Sequence, residues 1–196
     1  MSNYRRAVRP GGTFFFTLVT HRRAPFLCED VARGLLRRAI DDCRAVSPFE
    51  IDAFVLLPNH MHAMWTLPEG DADFSSRWMR IKRSFTLGWI AVGGAEEAIS
   101  DARRTNRRRG VWQRRFWEHT IRDQADYERH LNYIHYNPIK HGLARCAHAW
   151  RWSSFHRLVS EGVYDPGWCC ACDRLPLPSP DFGTMDTDAI ETAFGE

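Results

Sequence analysis

The sequence has no apolar run approaching the roughly 18 residues needed to cross a membrane. Its first residues, Met1 to Arg6, lack the apolar stretch of a secretory signal peptide. The six cysteines are scattered except for those at positions 169, 170 and 172, and without a secretory context reduced thiols are expected. These absences argue against a membrane protein or a disulfide scaffold and predict a cytoplasmic protein.

Regular zinc-ligand spacing is also missing. Cys169, Cys170 and Cys172 could offer thiolates to zinc, but no second cluster of cysteine or histidine stands beside them in the sequence. The sequence therefore disfavours a zinc site, and no role is assigned to this group.

What the chain does have is a basic body. From residue 160 to the end, eight acidic residues and one arginine give a charge of −7, so the first 159 residues carry +10. Such a body suggests a polyanionic partner, although arginines also simply solvate surfaces. At 196 residues the chain is long enough for one well-packed domain, which we place at 1–159, followed by an acidic, Pro/Gly-rich tail at 160–196.

Apolar periodicity predicts the order β-α-β-β-α-β followed by a helix. This order is typical of an α+β fold with a ferredoxin-like antiparallel sheet and packed helices. A flexible basic loop is expected at 91–110, and Pro138 is expected to end the last helix. A serine, Ser75 or Ser76, is the expected cap of the second helix. The predicted strands cover 13–20, 51–57, 60–67 and 111–117, and the clearest helices cover 28–46 and 124–137.

Two histidines share one face of the third predicted strand. Because strand side chains alternate, His60 and His62 lie on one face, while Met61, Ala63 and Trp65 form an apolar face. Paired imidazoles held in this way suit a metal, although most histidines in half-buried strands are structural. The pair needs a third ligand.

The last helix offers such a ligand beside a tyrosine. Residues four apart are neighbours on a helix, so the Tyr133 phenol lies one turn from the Asn137 amide. Tyr127 belongs to the apolar stripe, and Tyr136 points about 60° away from Tyr133. Tyr133 is therefore the candidate nucleophile, with a structural tyrosine as the alternative.

Basic and aromatic residues interleave at several places. Arginine binds phosphate and aromatic rings stack on unpaired bases, so this mixture suits single-stranded nucleic acid, although strand aromatics more often belong to a core. The candidate DNA-binding residues are Arg5, Arg6, Arg77, Arg80, Lys82, Arg83, Arg114, Arg115, Trp117, Lys140 and Trp152.

Two stretches carry a resemblance to a known family. Pro58-Asn59-His60-Met61-His62, together with residues 133–142 (YIHYNPIKHG), resembles the HUH single-tyrosine transposases, and in particular their REP-associated tyrosine transposase branch. Shorter matches extend the resemblance over about residues 1 to 165. They lie at 1–6, 67–71, 74–78 and 115–119.

The resemblance implies a bacterial enzyme with an HUH endonuclease-type fold that cuts and rejoins single-stranded DNA beside short palindromic hairpins. His60 and His62 would match the metal-binding pair, Tyr133 the nucleophile and Asn137 the third ligand, where the family often has glutamine. Such a donor set suits Mg²⁺ or Mn²⁺ and needs neutral imidazoles, so activity should fall at acid pH. Whether the protein is a monomer or a homodimer stays open.

Two other classes remain possible from the residues alone. A non-catalytic module that binds single-stranded nucleic acid would explain the charge and the aromatic residues, but it leaves the His60/His62 and Tyr133/Asn137 pairings unexplained. A metal-dependent phosphodiesterase that activates water would use Tyr133 only as a hydrogen-bond donor.

Overall fold

The computed structural model describes residues 9–106, 108–170, 172 and 180, so Arg5 and Arg6 lie outside the described residues. The strands are β1 (Thr13–Val19), β2 (Glu50–Leu56), β3 (His60–Thr66) and β4 (Trp117–Thr120). The helices are α1 (Asp30–Val46), α2 (Phe74–Ala91), α3 (Asp101–Thr105), α4 (Gln124–Lys140) and α5 (Phe155–Ser160). None of the helices in these ranges is both long and apolar enough to span a membrane.

The four strands form one antiparallel sheet in the order β2-β3-β1-β4. The α+β fold class, with an antiparallel sheet and packed helices, is thereby confirmed. A short link joins β2 to β3, as predicted, and the Leu57 amide closes it by donating to the His60 carbonyl. In the β1–β3 pairing, Val19 lies opposite His60 and Thr17 opposite His62.

One face of the sheet packs against α1 and α2. Met61, Ala63 and Trp65 point to this side and form the first hydrophobic core together with Phe14 and Phe16 of β1, so the predicted apolar face is confirmed. The Trp65 and Trp78 rings stack with their centres 3.9 Å apart. This core anchors β3 and thereby turns His60 and His62 to the other face.

The second face is covered as well. Phe15, Val55 and Met64 pack there against Ile134 of α4 and Phe155 of α5 and form the second hydrophobic core. The histidine face of β3 is therefore an interior, which the sequence pattern alone did not establish.

The predicted strand at 111–117 is wrong in position. Only an isolated bridge forms there, between Thr20 and Trp112, and β4 begins at Trp117. The segment is drawn towards α2 because Val111 and Trp112 enter the first core and the Lys82 ammonium donates to the Gln113 carbonyl at 2.6 Å.

The segment at 91–110 is more structured than a flexible loop where the structure describes it. It contains α3, and Arg109 forms an ion pair with Glu96. The Glu97 amide donates to the Gly110 carbonyl at 3.0 Å. These contacts within the segment arise between residues 13 apart, which local pattern does not reveal.

Helix α2 is capped by neither Ser75 nor Ser76. The Asp73 carboxylate accepts a hydrogen bond from the Ser76 amide at 2.9 Å, so the cap lies earlier than predicted. An aspartate at this position also suits the positive end of the helix dipole.

Helix α4 runs through Pro138 rather than ending before it. The chain leaves the helix at Gly142, which has a φ of +66°. The Gly142 amide donates to the Ile139 carbonyl and the Leu143 amide to the Pro138 carbonyl, the two hydrogen bonds of a Schellman motif. The glycine, and not the proline, therefore terminates α4.

Two aromatic residues of the acidic segment after residue 159 pack against the second core. Tyr164 and Trp168 pack in the second core, with ring centres 4.7 Å apart. The Tyr164 hydroxyl donates to the Asn132 side-chain oxygen at 2.8 Å. These two residues of the predicted tail therefore contact the body of the protein.

Replacing Gly142 with alanine should lower the free energy of unfolding by about 1 kcal/mol, since a Cβ is disfavoured in the left-handed region. Gly34→Ala is the matched control: it lies inside α1 with nothing within 4 Å of an added Cβ, so helix propensity should make it neutral or stabilising. Chemical denaturation measures both. Equal effects of the two substitutions would contradict the role of Gly142.

Candidate metal and nucleophile site

His60 and His62 stand side by side between the sheet and α4. Their ring centres are 5.1 Å apart and the rings are nearly perpendicular, at 82°. The exposed fraction is 7% for His60 and 1% for His62. Strand alternation therefore brings the two imidazoles together, as predicted, but in a buried position.

Each imidazole has a polar partner on its Nδ1 atom. The His60 Nδ1 atom lies 2.7 Å from the Asn59 side-chain oxygen, and the His62 Nδ1 atom lies 2.8 Å from the Thr17 hydroxyl. Such partners fix the orientation and the tautomer of a metal-binding histidine and leave Nε2 for the ion. The sequence analysis did not single out Thr17 or Asn59. The pairing of β1 with β3, which puts Thr17 opposite His62, would have identified Thr17.

Asn137 completes the trio from α4. Its side-chain oxygen lies 3.2 Å from the His62 Nε2 atom, and its side chain also hydrogen-bonds to His60. The Asn137 amide nitrogen donates to the Tyr133 carbonyl at 2.9 Å, which turns the oxygen towards the imidazoles. The structure thus brings together the three predicted ligands.

Both histidines are held neutral. Burial lowers the pKa of His60 to about 3 and the pKa of His62 well below its usual value. The charges of His141 and Arg23 lower the pKa of His60 further. The pKa of His62 is lowered further by His60. A lowered pKa means that the ring has lost its proton at neutral pH, as a metal ligand must.

Tyr133 packs directly on this group. Its ring centre lies 5.2 Å from that of His62 and 6.0 Å from that of Phe15, and the side chain is 1% exposed. The Lys140 ammonium lies 5.2 Å from the centre of the Tyr133 ring. The candidate nucleophile is thus beside the histidines and enclosed, with a positive charge next to it.

The two other tyrosines of α4 have different surroundings. Tyr127 is half-buried, and burial together with Asp52 raises its pKa to about 12. Tyr136 is buried in the second core. The Tyr133 ring contacts the ring of His62.

His141 is a site residue that the sequence pattern did not single out. Its ring centre lies 5.0 Å from that of His60. His141 follows Asn137 by four residues, so helical spacing would have placed it on the same side if α4 had been extended past Pro138.

A buried carboxylate joins β4 to the start of α4. Asp126 is 1% exposed, and its Oδ2 atom accepts hydrogen bonds from the His119 ring at 2.8 Å and from the Arg122 amide and guanidinium at 3.0 Å each. Arg129 adds an ion pair at 3.4 Å. Burial opposes the charge, but the hydrogen bonds from Arg122 and His119 outweigh it and hold the pKa of Asp126 well below its usual range.

This carboxylate is structural rather than a metal ligand. His119, Asp126 and His130 place their ligand atoms within 4.8 Å of one another. Two arginines already neutralise the carboxylate, however, so a cation would have to displace them. The rings of His119 and His130 instead stack with their centres 4.5 Å apart. His130 in turn contacts Phe15, which packs against Tyr133.

Some of the predicted DNA-binding residues are exposed, and others already make contacts within the protein. Lys82 is half-buried and donates to main-chain carbonyls, and Trp117 is half-buried against Phe15 at 5.6 Å. The exposed ones are Arg80, Arg83, Arg114, Arg115 and Lys140.

Arg77 is buried, in contrast to the exposed position that its predicted DNA-binding role requires. It is 5% exposed, and its guanidinium donates to the carbonyls of Ser47, Pro48 and Asp73 and to the Asp71 carboxylate. It therefore ties the start of α2 to the preceding turns and is not open to phosphate. Its place near the apolar stripe of α2 explains the burial.

Trp152 lies in a groove that the sequence did not reveal. The guanidinium carbons of Arg33 and Arg151 lie 3.6 Å and 4.6 Å from its ring centre. The groove has a volume of about 620 Å³, and we call it the arginine groove after five of its lining residues, which come from α1 and the segment at 151–157. They are Arg33, Arg37, Arg44, Arg151 and Arg157.

Fold and site together define a protein of the transposase kind. A solved structure of a REP-associated tyrosine transposase bound to a REP hairpin is similar to this chain, with a TM-score of 0.72 and 41% identity over 92% of this chain and 99% of that one. A REP-associated tyrosine transposase of Escherichia coli (strain K12) is 45% identical over 86% of this chain and 91% of the relative.

A relative in Haemophilus influenzae, provisionally given the same family name, is 39% identical over 86% of this chain and 93% of its own. No protein-family model matches the chain. The chain belongs to the REP-associated tyrosine transposase family.

Asp126→Asn should lower the free energy of unfolding by about 3 kcal/mol, because it leaves arginines and a histidine around a buried site without their counter-charge. Glu128→Gln, an exposed change on the same helix, should cost within about 0.5 kcal/mol. Denaturant titration measures both.

The pH dependence gives a second check on Asp126. Because its folded-state pKa is depressed, its contribution is present above the unfolded pKa of about 3.9 and is lost as pH falls through the folded value. The stability gap between wild type and Asp126→Asn should therefore narrow below about pH 4. A gap that stays constant down to about pH 2 would contradict this assignment.

Proposed function

We propose that this chain is a metal-dependent single-stranded DNA endonuclease and strand transferase that acts at palindromic repeat hairpins through a covalent 5′-phosphotyrosine. The observation that carries the proposal is the convergence of His60, His62 and Asn137 beside the ring of Tyr133. The relative solved with a REP hairpin supports the choice of DNA.

The donor set fits a divalent cation. Metal–ligand bonds of about 2.0–2.2 Å at right angles place neighbouring donors about 3 Å apart. The Asn137 oxygen and the His62 Nε2 atom are 3.2 Å apart. When bound there, Mg²⁺ or Mn²⁺ would polarise a phosphodiester oxygen and offset the negative charge that develops during attack.

Tyr133 is the attacking group in this proposal. Its hydroxyl oxygen forms a bond to phosphorus as the bond from phosphorus to the 3′ oxygen breaks, and the proton lost by the phenol is balanced by the one that the freed 3′-hydroxyl gains. The phosphotyrosine stays on the 5′ side of the break. Attack by a 3′-hydroxyl reverses the step, so rejoining needs no ATP.

The enclosed position of Tyr133 sets a condition on this reaction. With 1% of the side chain exposed, a phosphodiester reaches the hydroxyl only after α4 or the Lys140 side chain moves. We therefore propose that DNA binding accompanies an opening of the site.

Two basic surfaces are available for the DNA. Arg80, Arg83, Arg114 and Arg115 are exposed on α2 and the segment before β4. The arginine groove lies beside the end of β2, where the Leu56 amide donates to the Trp152 carbonyl. Arginines of both surfaces can contact phosphates, which makes affinity fall steeply with salt.

Tyr133→Phe should abolish cleavage and the covalent adduct while hairpin binding remains, because only the hydroxyl oxygen is removed. The assay uses single-stranded hairpin oligonucleotides labelled in turn at each end, Mg²⁺ or Mn²⁺, and a denaturing gel. Tyr136→Phe is the matched control and should retain the adduct.

The outcomes separate the rival functions. A protein-linked label that persists in Tyr133→Phe and disappears in Tyr136→Phe would make Tyr136 the nucleophile and refute the assignment. Metal-dependent cleavage without any adduct would favour a phosphodiesterase that activates water. Binding without cleavage across hairpins and metals would favour a non-catalytic module.

Thr17→Val should raise the Mn²⁺ concentration needed for half-maximal cleavage by roughly 10- to 100-fold, because the partner of the His62 ring is lost. Thr13→Val, on the same face of β1 but bonded to Thr66, is the control and should leave it unchanged. Titration of Mn²⁺ into each variant provides the measurement. Identical metal curves for both would show that Thr17 does not orient the ligand.

A further inference from the structure

A second group of ligand-type side chains lies outside the transposase site. Cys146, His148, Cys170 and Cys172 place one ligand atom each within 4.8 Å of one another. The Cys146 sulfur lies 2.7 Å from that of Cys170 and 2.9 Å from that of Cys172. Two segments that are well separated in the sequence thus meet at one point.

Local structure explains how the two segments meet. A 3-10 turn at Ala147–Ala149 follows the buried Cys146 and carries His148. On the other side, Trp168 packs against Tyr164, and the Cys170 amide donates to the Gly167 carbonyl at 3.0 Å, which reverses the chain. Both segments are therefore positioned by contacts other than those between the cysteine sulfurs.

The convergence of three sulfurs and an imidazole, rather than the individual sulfur–sulfur distances, favours a cation over a disulfide. A disulfide joins two sulfurs at about 2.05 Å, and Cys146 lies at nearly equal distances from two partners, of which a disulfide could use one. A tetrahedral Zn²⁺ binds three thiolates and one imidazole at once, at about 2.3 Å and 2.0–2.1 Å. The spacing Cys-x-His followed by Cys-x-Cys supplies that set.

We propose that Cys146, His148, Cys170 and Cys172 form a structural Zn²⁺ site. Four protein ligands fill the coordination sphere, so the ion has no open position for a substrate and acts as a cross-link. Binding displaces the thiol protons to solvent as the thiolates form. The fourth nearby cysteine, Cys169, packs against the second core and is not a ligand.

The site would fasten the beginning of the tail to the turn that follows α4. Cys146 comes four residues after Gly142, which ends the helix that carries Tyr133 and Asn137. The zinc would therefore stabilise this end of the molecule without entering the His60/His62 site.

The test uses the full-length protein purified without chelators. We expect roughly one zinc ion per chain by mass spectrometry of the metal and, after denaturation in a chelator, six reactive thiols. Absence of zinc with six thiols would overturn the site, and absence of zinc with two fewer thiols would replace it with a disulfide.

Variants locate the ion. Cys146→Ser and His148→Ala should each lower the zinc content, whereas His148→Cys should keep it because a thiolate replaces the imidazole. Cys169→Ser is the matched control and should retain full zinc. His62→Ala should also retain it, which separates this site from the transposase site.

A spectroscopic readout covers variants that are less stable. Co²⁺ exchanged into wild type should give the visible bands of tetrahedral cobalt and a thiolate charge-transfer band, both weaker or shifted in His148→Ala. His148 is exposed, so this variant should keep the wild-type circular dichroism spectrum. Full zinc and an unchanged cobalt spectrum in His148→Ala and Cys146→Ser would refute the proposal.

Discussion

The register of β1 on β3 is the constraint on which the site depends. It places Thr17 opposite His62 and turns both histidines towards α4, while Met61, Ala63 and Trp65 enter the core beneath α1 and α2. A slip of one residue would exchange these faces and bury the imidazoles among tryptophans. The large aromatic core on one side therefore specifies the position of the polar group on the other.

Burying two imidazoles and an amide costs free energy unless their polar atoms are satisfied. Here Thr17, Asn59 and the Tyr133 carbonyl supply partners, and burial keeps the rings neutral. The Asp126 network adds a second fixed point by tying the start of α4 to β4. Side chains that are already oriented before a metal ion binds lose less conformational entropy on binding.

The sequence was informative where a short-range rule applied. Strand alternation predicted the common face of His60 and His62, and helical spacing predicted the proximity of Tyr133 and Asn137. It was misleading where distant contacts decide: Trp112 is drawn into the first core, and Arg77 is buried by carbonyls from the turns around it. The meeting of Cys146 with Cys170 was invisible for the same reason, because tertiary packing brings them together.

Pro138 removes one backbone hydrogen bond from α4. Because proline lacks an N–H, the Ile134 carbonyl has no helical donor at this position. Lys140, above the Tyr133 ring, and His141, beside His60, are both carried on the last turn. The missing hydrogen bond thus lies within one turn of the residues that cover Tyr133, the candidate nucleophile.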